Sequence, residues 1–288
     1  MINVVPAAEA ALRGSGLTLG FGEGTVVDGV SIALQPGRVT ALVGPNGSGK
    51  STLLRSLARL HPVATGEITV RADGEDVPVR SLSARDFARQ VTLFAQSRTA
   101  PLGLSIREVV AFGRHPYRRR FGGLTPEDRS AIDDAMAATG LADMAERAAG
   151  ELSGGELQRV WLACCLAQQT GVVLLDEPTN HLDLRYQVET LDLIRGLADE
   201  HGTAVGVVLH DLDHAARVAD DLLLMQGGRI LAVGAPMDVL TAENIRRAYD
   251  IDVDVALDPR SGRLRIDPIG RRAPRTASAS LSPSPNPS

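Results

Sequence analysis

The stretch Gly44-Pro45-Asn46-Gly47-Ser48-Gly49-Lys50-Ser51-Thr52 constrains this chain more than any other. An apolar run, Val39 to Val43, stands before it and reads as a buried strand. After it, Leu53-Leu54-Arg55-Ser56-Leu57-Ala58-Arg59-Leu60 carries helical apolar spacing. A strand that turns through a glycine-rich loop directly into a helix belongs to an α/β core.

The loop fits G-x-x-x-x-G-K-[ST], and each part has a physical task. Gly44, Gly47 and Gly49 let the backbone turn successive N–H groups toward one anion, with Pro45, Asn46 and Ser48 between them. The helix beginning near Lys50 adds unpaired N-terminal donors and a positive dipole end. Lys50 would reach the β- and γ-phosphates of a nucleotide, and the Ser51 hydroxyl would ligate Mg2+. Lys50 is the only lysine; the other basic residues among the 30 are arginines. An ammonium stands where a compact point charge suits a phosphate cradle.

At 288 residues the chain can form one large domain or two small ones, each with a sizeable core. Aromatic residues make up only 3% and the net charge is −5, which argue against base stacking on single strands and against general electrostatic attraction to nucleic acid. Cys164 and Cys165 are adjacent in an apparent helix, point in different directions, and read as two buried thiols of a reducing cytosol. Met1 to Gly14 lacks the pattern of a signal peptide, and no apolar run approaches the roughly 18 residues that span a bilayer. Any membrane role is expected to come from a partner.

Along the chain, Leu17 to Phe21 and Val26 to Leu34 alternate as strands around a Gly22-Glu23-Gly24 turn, a small antiparallel unit leading into the α/β core. Phe21 lies between two glycines, either as a ring for stacking on adenine or as a core phenylalanine at a strand end. Gly66 to Val70 and Val77 to Val79 read as further edge strands. Val91 to Ala95 is another strand and ends on Gln96, an exposed loop amide or a group at the ligand edge of the sheet. From Ser105 to about Ala149 the pattern is helical, over Ile106 to Phe112 and Pro126 to Ala138. The basic cluster Arg114 to Arg120 between them reads as a solvated face, with a protein-docking surface as the alternative.

Ser153-Gly154-Gly155-Glu156 opens a long helix through Gln169. Ser153 with Glu156 fits a capping box, and the glycine pair permits a second anion-binding nest. Val172 to Leu175 is a buried strand that carries Asp176 and Glu177 to its C-terminal end. Two carboxylates there are costly unless a cation or a proton transfer holds them, so Asp176 is assigned to Mg2+ and Glu177 to polarising the attacking water. Thr203 to Leu209 is a strand ending at His210. His210 and His214 are not expected to share a helix, so a zinc pair is rejected and His210 is assigned to the γ-phosphate. Leu222 to Met225, Ile230 to Val233 and a helix from Met237 to Tyr249 complete the core, and the Pro/Ser/Ala-rich stretch 271–288 is expected to be a disordered tail.

In this order, the motifs make residues 16–270 resemble the nucleotide-binding subunit of an ATP-binding cassette (ABC) transporter, after a lead of residues 1–15. The resemblance implies a P-loop NTPase core with an antiparallel β subdomain and an α-helical subdomain at about 97–160. It places Leu152 to Glu156 at the family signature, Gln96 at the glutamine loop and on Mg2+, and Asn180-His181-Leu182-Asp183 at the D-loop, with Asp183 on nucleotide. It also places His210 at the histidine switch and Phe21 under adenine. Two positions depart from the usual pattern: Glu156 where glutamine is more common, and Phe21 where tyrosine is.

The same resemblance implies a head-to-tail pair of identical subunits in which Ser153, Gly154 and Gly155 of one copy close over the γ-phosphate of ATP held by the other. Closure would sequester the water beside Glu177, and hydrolysis would reopen the pair. The implied partners are a membrane permease, touching the helical subdomain at the cytoplasmic face, and indirectly a substrate-binding protein; no nucleic acid is implied. Ala248 to Val253 and Gly113 to Pro116 resemble importer subunits for ferric siderophores, with haem and cobalamin as alternatives. A soluble ABC ATPase would be expected to carry two cassettes or a coiled-coil insertion. A P-loop kinase would have no use for the signature or His210.

Overall fold

The computed structural model describes residues 10–22, 24–95, 101–118, 122–180 and 182–270. An antiparallel sheet comes first, from β1 (Leu12–Phe21) and β2 (Gly24–Leu34). The next strand, β3 (Val39–Val43), is buried at every position and feeds the glycine-rich loop into α1 (Lys50–Leu57). β4 (Thr65–Ala72) and β5 (Glu75–Pro78) return to the first sheet, whose strand order is β2-β1-β4-β5. β4 is therefore interior, and only β5 is the edge strand expected of both. β1 also starts inside the expected lead: Leu12 is 1% exposed, and Ala11 is hydrogen-bonded to Leu34 and Arg71.

The chain continues through α2 (Ala84–Ala88), β6 (Val91–Phe94), α3 (Ile106–Val110) and a 3-10 segment, Ala111–Tyr117, to α4 (Pro126–Ala138) and α5 (Gly154–Ala167). It then alternates β7 (Val172–Asp176), α6 (Leu184–Asp199), β8 (Ala204–Val208), α7 (Leu212–Val218), β9 (Asp221–Gln226) and β10 (Arg229–Gly234). The second sheet runs β10-β9-β3-β8-β7-β6, parallel throughout except for β10. Strands β3, β7 and β8 are buried along their whole length, the mark of a parallel sheet covered on both faces.

α1 links the two sheets. Its Leu53, Leu54 and Leu57 share a core with Leu19, Val27 and Ile32 of the antiparallel sheet and with Leu42 and Leu174 of the parallel one. Each such leucine contributes about 1.5–3 kcal/mol on burial. The helices α3, α4 and α5 bury a separate core around Ile106, Ile132, Met136 and Val160.

The basic cluster after α3 is not simply a solvated face. Arg114 is buried and pairs with Asp128 at 2.8 Å, donates to the Ala167 carbonyl, and stacks on Tyr117. Burial pushes the Asp128 carboxyl up, but Arg114 and Thr125 together hold it below its ordinary value. Gly113 fits because a Cβ there would lie 2.1 Å from the Cys164 carbonyl oxygen. Charge count and spacing cannot register such a buried partner. His115 and Arg118 remain exposed.

The expected helix from Met237 to Tyr249 is two helices, α8 (Pro236–Val239) and α9 (Ala242–Tyr249). Leu240 leaves helical geometry, and the Thr241 side chain caps α9 by accepting from the Asn244 amide. β11 (Val253–Leu257) and β12 (Leu264–Pro268) then form a hairpin absent from the sequence reading. No described helix is long and apolar enough to cross a membrane. Gln96, His181 and the stretch 271–288 lie outside the described residues.

Candidate active site

β3, β8 and β7 are neighbours, so their C-terminal ends bring the glycine-rich loop, His210 and the Asp176-Glu177 pair to one edge of the sheet. The loop is tight. Gly44 has φ 146°, and a Cβ there would stand 2.1 Å from the Met225 carbonyl oxygen. Gly49, left-handed at φ 96°, caps α1 without any side-chain acceptor, so the first N–H groups of the helix have no side-chain cap.

Lys50 is 4% exposed. Its Nζ donates to the Gly44 and Pro45 carbonyls at 2.8 and 3.0 Å, and the Ser48 hydroxyl lies at 3.5 Å. Desolvation lowers the Lys50 pKa, opposed by the negative charges of Glu177 and Asp176. The ammonium is thus held inside the loop by carbonyls that phosphate oxygens can replace.

Ser51 and Asp176 meet: the Ser51 hydroxyl donates to Asp176 Oδ1 at 2.7 Å. The Arg55 guanidinium takes the other oxygen, Oδ2, at 3.1 Å. Asp176 is fully buried, so Arg55 supplies the countercharge its ionised form requires. Sequence reasoning missed Arg55, although its i, i+4 spacing from Ser51 puts both on one face of α1. A hydroxyl and a carboxylate beside the phosphate loop suit Mg2+, a hard cation that takes one or two protein ligands and completes its shell with phosphate and water oxygens.

Glu177 stands in the left-handed region at φ 55°, a conformation that costs about 1–2 kcal/mol for an L-residue. The turn directs its carboxylate to His210, whose Nε2 pairs with Oε1, and to Asn180, whose amide donates to Oε2. Gln158 from α5 bonds the Pro178 carbonyl, tying the following turn to the signature helix. Asn180 was read only as part of the D-loop motif; its contact with Glu177 makes it part of the site.

The other expected residues stand on other elements. Phe21 is 64% exposed at the end of β1, its ring centroid 4.4 Å from that of His61, whose Nε2 lies 3.1 Å from the Gly20 carbonyl. Ser153 caps α5 by accepting from the Glu156 amide, and its own N–H and hydroxyl donate to the Glu156 carboxylate, both at 2.8 Å. Gly155 stands where a Cβ would be 3.5 Å from Leu182, just before α6. Asp183 uses its carboxylate to cap α6 through the Tyr186 amide. Ser153 and Asp183 are placed by local caps, and among the described residues the hydrogen bonds of Ser153 stay within its cap.

A family model described as ABC transporter matches residues 27–180. The chain is 42% identical over 270 residues to the ferric enterobactin transport ATP-binding protein FepC of Escherichia coli, covering 94% of this chain and 98% of that one. It is 37% identical over 247 residues to the iron(3+)-hydroxamate import ATP-binding protein FhuC of Bacillus subtilis, covering 86% and 90%. Among solved structures it resembles a metal-chelate type ABC transporter in an inward-facing conformation, with TM-score 0.78 and 25% identity over 91% of this chain and 99% of that one.

Proposed function

Since the chain belongs to the ABC transporter family, we propose that it is the ATP-hydrolysing subunit of an importer for ferric siderophores, working as a head-to-tail pair beneath a membrane permease. The observation that carries this is the convergence at one sheet edge of a buried Lys50, the Ser51–Asp176 bond and the Glu177–His210 pair. The cargo assignment is supported by the similarity to FepC and FhuC.

In this reading the loop Gly44 to Thr52 wraps the triphosphate, and Lys50 exchanges the Gly44 and Pro45 carbonyls for β- and γ-oxygens. Ser51 and Asp176 would hold Mg2+, which when bound neutralises charge on the phosphates, with Gln96 as a further ligand. Glu177 accepts the proton of the attacking water, and His210, now on Glu177, orients that carboxylate and contacts the γ-phosphate. Phe21 stacks under adenine. Ser153, Gly154 and Gly155 of the second copy complete the γ-phosphate shell, with Asp183 beside it. The permease docks on the helical subdomain at the cytoplasmic face, and cargo arrives from an external binding protein.

The test is reconstitution. Full-length chain carrying an affinity tag should co-purify from membranes with a polytopic permease, and proteoliposomes holding the complex should take up ferric siderophore only with ATP on the side of this subunit. Uptake of haem or cobalamin instead would overturn the cargo assignment. Phosphate release that requires an acceptor molecule would overturn the ATPase reading.

A further inference from the structure

The end of α1 carries one imidazole to the tip of β1. Arg59, left-handed at φ 60°, follows the last turn of the helix. Its N–H bonds the Ser56 carbonyl at 2.9 Å, and the Leu60 N–H bonds the Arg55 carbonyl at 2.8 Å. This double closure is a Schellman motif, and it turns the chain sharply off the helix. Beyond His61, the Ala64 N–H bonds the Thr18 carbonyl of β1 at 2.9 Å. His61 is thus held between an anchor on α1 and an anchor on β1.

The imidazole meets β1 at two points. Nε2 lies 3.1 Å from the Gly20 carbonyl, an acceptor only, so this nitrogen carries the proton and donates. The ring centroid is 4.4 Å from that of Phe21, with the planes tilted by 56°, an arrangement aromatic pairs favour. Gly20 is itself packed tightly, since a Cβ there would stand 2.3 Å from the Gly24 carbonyl oxygen. Phe21 remains 64% exposed, so His61 covers only part of the ring and leaves the rest open. A phenylalanine at a strand tip with no neighbour would turn among its rotamers, and a ligand stacking on it would bear the entropy of stopping it. The imidazole removes that freedom beforehand.

We propose that His61 is a positioning residue of the nucleotide site: it holds the Phe21 ring at the angle that receives adenine on its open face. Because His61 hangs from the end of α1, the helix that begins at Lys50 sets the base platform as well as the phosphate donors. This rests on the reading of Phe21 as the seat of adenine. The consequence is selective: the imidazole contributes to binding of the base, and adds nothing to binding of the phosphates or to proton transfer at Glu177.

The experiment is His61→Ala in the full chain, titrated with MgATP and with magnesium tripolyphosphate, which has no base. MgATP affinity should fall about two- to tenfold, the range of one aromatic pair, with KM rising and kcat held. Tripolyphosphate affinity should not change, and the Phe21 ring resonances of the nucleotide-free protein should move as the imidazole ring current is lost. His61→Phe, which keeps a ring and loses the donor, should recover most of the MgATP affinity. Unchanged MgATP affinity in His61→Ala would overturn the proposal. So would equal losses for MgATP and tripolyphosphate, which would mark His61 as a prop of α1 alone. Tighter MgATP binding would also sink it, by showing that the imidazole occupies the seat of the base. Phe21→Ala checks the reading underneath. If that variant bound MgATP as the parent does, Phe21 would not be the seat of adenine; if it bound weakly while His61→Ala did not, the seat would stand and the proposal would fall.

Discussion

α1 and α5 both carry glycine at their starts, Gly49 as the cap of α1 and Gly154 as the first residue of α5, and they treat their N-terminal donors in opposite ways. α1 starts at a left-handed Gly49 with no side-chain cap and no acidic residue in its first turn, at the end of a loop whose carbonyls hold the Lys50 ammonium. α5 starts at Ser153 with a complete capping box, and the Glu156 carboxylate already answers the Ser153 N–H and hydroxyl. Both ends carry the dipole and the unpaired donors that attract an anion. The first is left open for a ligand from outside, whereas the second is stable with its internal carboxylate. A helix start of the second kind takes a foreign phosphate only when the rest of the site delivers that phosphate to it. This fits a cassette that binds ATP with one surface and closes on it with another.

The largest expected effect falls on the open side. Glu177→Gln should leave ATP binding intact and slow turnover by about 10^2- to 10^4-fold, as loss of a general base does. With hydrolysis blocked, the two helix starts should stay together around ATP as a dimer visible by light scattering. Parental turnover in this variant would put the base elsewhere. Lys50→Ala should weaken ATP binding to the single chain by about 10- to 100-fold, through loss of charge-assisted bonds to phosphate. Ser153→Ala separates the two regions most directly. It should leave the affinity of a single chain for ATP unchanged, yet weaken dimerisation in the Glu177→Gln background by about tenfold. If titration calorimetry found single-chain ATP binding weakened instead, the second helix start would belong to the same copy's site and the contrast would collapse.

Much of the open side was legible in the sequence, because its chemistry is local. The glycine spacing, the unique lysine and the carboxylates after an apolar strand each show within a few consecutive residues, and parallel topology brings them to one edge. Arg55 on Asp176 and Asn180 on Glu177 were harder to see, since each depends on which face of a helix or turn meets another element. Arg114 was misread for the same reason: a run of arginines looks solvated until α4 supplies Asp128 against it. The split between α8 and α9 turns on Leu240 and Thr241, where a cap outweighs continuous apolar spacing. The hairpin of β11 and β12 has short, half-exposed strands, so alternation is weak there. Its hold on the core includes the Ile266 N–H on Asp213 of α7, a contact between residues far apart in sequence.

The smallest expected effect tests why the closed side carries Glu156 and not an amide. The Ser153 N–H and hydroxyl donate into this carboxylate and, with Arg147 and Arg159 nearby, hold its pKa below the ordinary 4.5. Because the folded value is the depressed one, the charged cap contributes fully above the ordinary value. That contribution is lost as pH falls through the lower, folded value. The Ser153 amide resonance should therefore stay constant at neutral pH and move only below about pH 4.5. In Glu156→Gln it should not titrate, since glutamine keeps an acceptor for the cap but has no charge. Removing that charge from the surface proposed to meet a γ-phosphate should tighten dimerisation of the Glu177→Gln protein about two- to threefold, the scale of an exposed charge interaction. Weaker dimerisation in the double variant would mean that the carboxylate helps closure, by placing Ser153 rather than by repelling what Ser153 must meet.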